Sequence, residues 1–145
     1  MLKKNVILVF ISFLLISCVS SKSKNNQNAS KLDGTWQLNY IIGAQVGFDA
    51  LYPKIKPTLV FNVNENQVSG NNGCNSFSGS VAITGNSIDL SKPMAVTKKM
   101  CIDGQQGETL FMNTLSKITQ YSVSDNGNTL TFISGDIARM RFSKQ

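Results

Sequence analysis

No histidine occurs among the 145 residues, and only 15% of them are charged. Without imidazole there can be no Ser-His-Asp or Cys-His arrangement of the usual kind, and no imidazole metal ligand. A structural zinc site draws four ligands from Cys and His, and three cysteines cannot supply them. Acidic residues number eight, are scattered along the chain, and sit in several cases in turns, where Asp is favoured for local hydrogen bonding. No pair of them is nominated for general acid-base work. The expectation is a protein without enzymatic activity and without a cofactor.

Long hydrophobic runs are also missing, apart from the start. The opening "MLKKNVILVFISFLLIS" has two lysines followed by an apolar run from Val6 to Ile16. That run is well short of the roughly 20 residues that span hydrocarbon, so residues 1–17 read as an export signal. It ends on Leu15-Ile16-Ser17-Cys18 with no A-x-A-like cleavage pattern. These four residues resemble the lipobox of bacterial lipoproteins. The resemblance implies cleavage before Cys18 and acylation of its sulfur and its new amino group. Two or three acyl chains make a stable anchor where one holds only reversibly. Val19 stands where Asp would direct retention at an inner membrane, so an outer-membrane location facing the periplasm is expected in a two-membrane cell.

Residues 18–30 then read as the lipidated cysteine and a flexible polar tether. The folded part is expected at residues 31–145, enough for one domain. The formal charge of +6 shrinks over that stretch, where ten basic residues face eight acidic ones. No Lys/Arg cluster with interleaved aromatics appears, so nucleic acid is not an expected partner.

Period-two alternation dominates the domain. Trp36, Leu38, Tyr40 and Ile42 fall on one side of a strand, as do Leu59, Phe61 and Val63, and later Ala138, Met140 and Phe142. Turn residues separate the strands at Asn64–Asn66, Gly70–Gly73, Thr84–Asn86 and Asp125–Asn128. One segment breaks the pattern: Phe111, Leu115 and Ile118 follow helical spacing and predict an amphipathic helix from about Gln105 to Ile118. Glu108 near its start suits the helix dipole. Residues 43–56 read as a loop.

Cys74 and Cys101 form an even pair in an exported chain and are candidates for a disulfide. Two free buried thiols are the alternative, and a nucleophilic Cys74 would need a nearby cation such as Lys98 or Lys99. Gly70, Gly73 and Gly79 allow sharp bends around Cys74, and Asn71, Asn72 and Asn75 can bond neighbouring backbone groups.

With those residues in view, "GTWQL", "VSGNNGCNSFSGS" and "AVTKKMC" followed by Glu108 and the Phe111-Leu115 helix resemble the META domain of the HslJ heat-shock lipoprotein family. The motif G-x-x-G-C-N-x-F-x-G falls on Gly70, Gly73, Cys74, Asn75, Phe77 and Gly79. The family's T-x-M-A-C falls on Thr97, Met100 and Cys101, but here Met100 abuts the cysteine and the alanine is missing. The resemblance implies an α+β fold: a strongly curved, partly closed, barrel-like antiparallel sheet of about six to eight strands with one helix against it. It also implies a monomeric envelope protein associated with stress or antibiotic tolerance, acting as a binding or assembly module for an envelope protein or cell-wall component. Gly34-Thr35-Trp36 additionally resembles the lipocalin G-x-W, in which a late arginine packs over the tryptophan; Arg139 and Arg141 are available. That resemblance implies an alternative role, carriage of a small apolar ligand such as a lipid in a half-barrel cavity.

Overall fold

The computed structural model describes residues 23–145, with side chains from residue 28 onward. The export signal and Cys18 lie outside the described residues. Among the described residues ten antiparallel strands form one sheet, more than the six to eight expected; β7, with two residues, is too short to show a periodicity. The strands are β1 (Gly34–Ile41), β2 (Thr58–Asn62), β3 (Gln67–Asn71), β4 (Ser76–Ser80), β5 (Ala82–Thr84), β6 (Ser87–Asp89), β7 (Ala95–Val96), β8 (Gln120–Ser124), β9 (Thr129–Ser134) and β10 (Ile137–Lys144). Their spatial order is β5-β6-β8-β9-β10-β1-β2-β3-β4-β7.

This order forces the sheet to curl. β4 and β5 stand near opposite ends of it, yet only Val81 separates them in the chain. Two residue steps span at most about 7 Å, so the two ends of the sheet must meet. Val81 is buried at that seam, and its N–H donates to the Asn66 carbonyl at 2.9 Å. The outermost strands, β5 and β7, have three and two residues, which leaves little unpaired edge for aggregation.

Two bulges explain where simple alternation fails. Trp36 and Leu38 are buried, but Tyr40 is 41% exposed and Ile41 takes the core position expected of its neighbours. The β1–β10 register slips between Leu38 and Tyr40, and the β10–β9 register slips between Ala138 and Met140. An extra residue in one strand flips every later side chain to the other face and bends the strand. Ala138 is therefore exposed while Met140 and Phe142 remain in the core.

Three α-helices are found among the described residues: α1 (Ser23–Leu32), α2 (Phe48–Leu51) and α3 (Gln105–Leu115). The expected tether is thus helical from Ser23, because Leu32 is fully buried and its carbonyl accepts the Trp36 indole N–H at 2.7 Å. Asn28 adds an amide contact to Asn86 at 3.0 Å. α2 is a single turn within the expected loop, seated by Leu51 and Tyr52. α3 begins where predicted and ends three residues early; Ile118 is buried as predicted, but beyond the helix.

One continuous core runs from Leu32 to Phe142 and includes the helix residues Phe111 and Leu115. That core lies wholly within residues 23–145, so this span is expected to fold as a unit. Trp36, Phe111, Phe132 and Phe142 fill the concave side, with Phe132 and Phe142 edge to face at 5.3 Å. Two surface depressions are present among the described residues, about 370 Å³ beside β4 and β7 and about 260 Å³ between residues 90–94 and α3. No helix among the described residues is long and apolar enough to cross a membrane.

Candidate functional site

The β3–β4 connection, Asn72-Gly73-Cys74-Asn75, gathers nearly all the motif residues. Asn72 and Asn75 are the buried polar residues of the described chain, at 0% and 3% exposure. A buried amide is costly unless bonded, and both are hydrogen-bonded through their oxygen and their nitrogen. The Asn72 Oδ1 accepts from the backbone N–H groups of Cys74 at 3.1 Å and Asn75 at 2.7 Å, folding the turn around itself. The Asn71 Oδ1 accepts from the Gly73 N–H at 2.8 Å. Gly73 has φ +100°, a conformation L side chains avoid, and a Cβ there would lie 2.7 Å from the Tyr52 ring.

Glu108 does more than complement a helix dipole. One of its carboxylate oxygens accepts from both the Asn72 and the Asn75 side-chain amides, each at 3.0 Å. It thereby ties the turn to the first turn of α3. Asn75 also clamps the segment after β7: its amide donates to the Lys99 carbonyl at 3.1 Å, and its Oδ1 accepts from the Lys99 N–H at 2.7 Å and the Thr97 hydroxyl at 2.8 Å. Thr97 in turn accepts the Ser76 N–H at 3.1 Å. Cys74 is bonded to Cys101 in a disulfide, with the Cα atoms 6.0 Å apart.

The structure thus brings together Gly73, Cys74, Asn75, Thr97, Cys101 and Glu108. Gly70 and Gly79 flank them for separate reasons. A Cβ at Gly70 would collide with the backbone carbonyl of Thr58 on β2, whereas at Gly79 it would meet the flexible Met94 side chain at 2.8 Å. Phe77 points into the core against the Phe111 ring, 5.8 Å away. Met100 does not join the site; it is 93% exposed. Asn72 was legible as a turn residue, but its bond to Glu108, 36 positions away, had no local signal. Gly107 was missed too: it lets α3 approach so closely that a Cβ would lie 2.6 Å from the Leu51 carbonyl, and its own carbonyl accepts the Tyr52 hydroxyl at 3.0 Å. Burial pushes the Tyr52 phenol well above its ordinary range.

Trp36 lies apart from the turn, in the core. The cation over its ring is Lys144, 4.7 Å from the centroid, and not Arg139 or Arg141. Arg141 stacks on Tyr40 at 5.6 Å, because the bulge in β10 turns it toward the outer face. Lys144 also donates to the Asp33 carbonyl at 2.7 Å. Among the described residues no cluster of Cys, Asp and Glu is arranged to hold a metal ion.

The model of the META domain matches residues 29–145. The chain belongs to the META domain family. Its META fold is shared with solved structures of low sequence identity. An NMR structure of a protein from Burkholderia xenovorans superposes with a TM-score of 0.65 at 20% identity, covering 89% of this chain and 94% of that one. A second NMR structure gives 0.55 at 22% identity, covering 78% and 90%. The crystal structure of a DUF4847 family protein from Bacteroides vulgatus ATCC 8482 gives 0.51 at 15% identity, covering 79% and 95%. At such identities the likeness is one of fold alone. No curated protein matches the chain.

Proposed function

We propose that this META domain protein is a lipid-anchored component of the bacterial cell envelope that binds an envelope protein or cell-wall component and transforms no substrate. The observation that carries the reading is the use made of its chemically capable groups. Cys74 is consumed in a disulfide. Glu108 is occupied by two buried amides, and both asparagine amides hold backbone in place. Such a network spends its polar groups on holding the fold rigid, which suits a domain that presents a fixed surface to a partner. The lipobox at Cys18 supports the membrane anchor, and Val19 supports an outer-membrane location in a two-membrane cell. A role in envelope stress or antibiotic tolerance accompanies this reading.

Growth of an expressing strain with an alkyne fatty acid tests the anchor: the label should enter the wild-type chain and be absent from Cys18→Ser. Photo-cross-linking residues at the exposed positions Val46, Val60 and Ile137 test the binding role. Discrete adducts in intact, stressed cells are expected; a chain that stays free at all three positions counts against binding. Alkylation of native protein before reduction, at Cys74 or Cys101, would revive a nucleophilic role.

A further inference from the structure

From the surface beside the disulfide we infer a second, direct contact with lipid: the loop Lys98-Lys99-Met100-Cys101-Ile102 docks onto an anionic membrane surface. Met100 and Ile102 are 93% and 89% exposed, far beyond any other large apolar residue described, where the next is Ile55 at 49%. Ile55 belongs to the same rim. Its carbonyl lies against Gly73, and the neighbouring Lys54 reaches across to Asp103 at 3.0 Å.

The charges decide what covers this rim. Lys98 and Lys99 are exposed, and neither forms an ion pair with a described residue. The carboxylate next to the loop in sequence, Asp103, is already paired with Lys54. Unpaired lysines beside exposed aliphatic side chains match a headgroup layer over an acyl boundary. A protein partner fits less well, since interface centres are depleted in lysine and a stable interface engages roughly 20–30 residues a side. The loop is also held from both ends. Asn75 grips the backbone of Lys99 and the disulfide grips Cys101, so Met100 and Ile102 are presented with little backbone entropy left to lose.

Acylation of Cys18 is not required for this contact, so oxidised residues 23–145 serve for the test. They should float with phosphatidylglycerol-containing vesicles at low salt, remain behind with pure phosphatidylcholine, and be released as salt rises. Each lysine is worth about five-fold in partitioning, so K98Q/K99Q should weaken binding roughly 25-fold. M100D/I102D should weaken it by roughly 100-fold or more. Both pairs are exposed, and an unchanged thermal melt shows that the variants are folded. K117Q/I137S, away from the loop, should float like the wild type. Wild-type protein that ignores anionic vesicles, or binding that survives M100D/I102D, overturns the inference. So does a change in sedimentation of the protein alone on M100D/I102D without any flotation of the wild type, which marks a protein interface instead.

Discussion

Replacing Glu108 separates a carboxylate that organises the fold from one that merely decorates a helix end. Alanine at this position removes both acceptor contacts and takes from the Asn72 side-chain amide, at 0% exposure, the carboxylate it donates to. Stranding a buried donor costs about 1–3 kcal/mol, and a hydrogen bond to a charged group contributes about 1.5–3 kcal/mol. Asn75 retains its bond to the Lys99 carbonyl, so the second loss is partial. The expected cost of Glu108→Ala is about 3 kcal/mol, against about 0.3–1 kcal/mol were only the dipole at stake. Glu108→Gln keeps an oxygen where both amides point and gives up only charge, so about 1 kcal/mol should be lost.

A third variant supplies a pH signature. Asn72→Asp places an acceptor against the Glu108 oxygen where a donor now stands, and two carboxylates then face each other in a largely dry site. The pair repels at neutral pH and is relieved when one member takes a proton. Asn72→Asp should thus be more destabilised at about pH 7 than at about pH 4.5, relative to wild type at the same pH. Urea unfolding followed by Trp36 fluorescence measures all three. A loss below about 1 kcal/mol for Glu108→Ala, or equal losses for alanine and glutamine, would refute the network as described.

The disulfide closes a separation of 27 residues, for which chain entropy predicts roughly 3.5 kcal/mol; Cys74→Ser with Cys101→Ser should lower the calorimetric Tm by on the order of 10–15 °C for a domain of this size. Among the motif glycines, Gly70→Ala should unfold the domain most readily, by about 3 kcal/mol or more, because the obstruction is the Thr58 backbone. Gly79→Ala should cost about 1 kcal/mol or less, because Met94 can turn aside, and chemical denaturation of the pair checks the ranking. Tyr52 has a folded pKa above its unfolded value through burial, so the stability it contributes is intact below about pH 10 and is lost as pH rises past it. Alkaline melts should therefore show Tyr52→Phe less stable than wild type near neutrality, for want of the bond to Gly107, with the gap narrowing above about pH 10.

Much of the fold was legible because its core obeys a simple rule. Leu59 and Phe61, or Leu130 and Phe132, alternate in strands whose burial follows the same alternation. The rule broke at β1 and β10, where bulges reset the phase; a bulge leaves no mark in composition, only in pairing. Strands as short as Ala95–Val96 fall below the length at which period two can be seen. At the site, the glycines and Asn75 were readable from turn chemistry and from the family motif. The Glu108 contacts were not, because an amide 33 or 36 residues away leaves no local trace. Lys144 was passed over for the arginines because stacking on Trp36 depends on register at the last residues of the chain.

The two fastenings around Cys74 divide their work along one segment. Asn75 holds residues 97–99 through three bonds that survive loss of the bridge. Beyond Lys99, the anchor to the turn is the disulfide, and an exposed ion pair ties Asp103 to Lys54 after α2, where an exposed pair is worth at most about 1 kcal/mol. α3 resumes firm attachment only at Gly107 and Glu108. Reduction therefore acts on two scales. The unfolded chain regains the entropy of an open loop, which lowers stability throughout, while loosening of the native structure is expected to be confined to Met100 through the start of α3. The most exposed apolar side chains in the domain lie within that stretch. Their presentation thus depends on the redox state of a bond whose loss would leave the rest of the barrel in place.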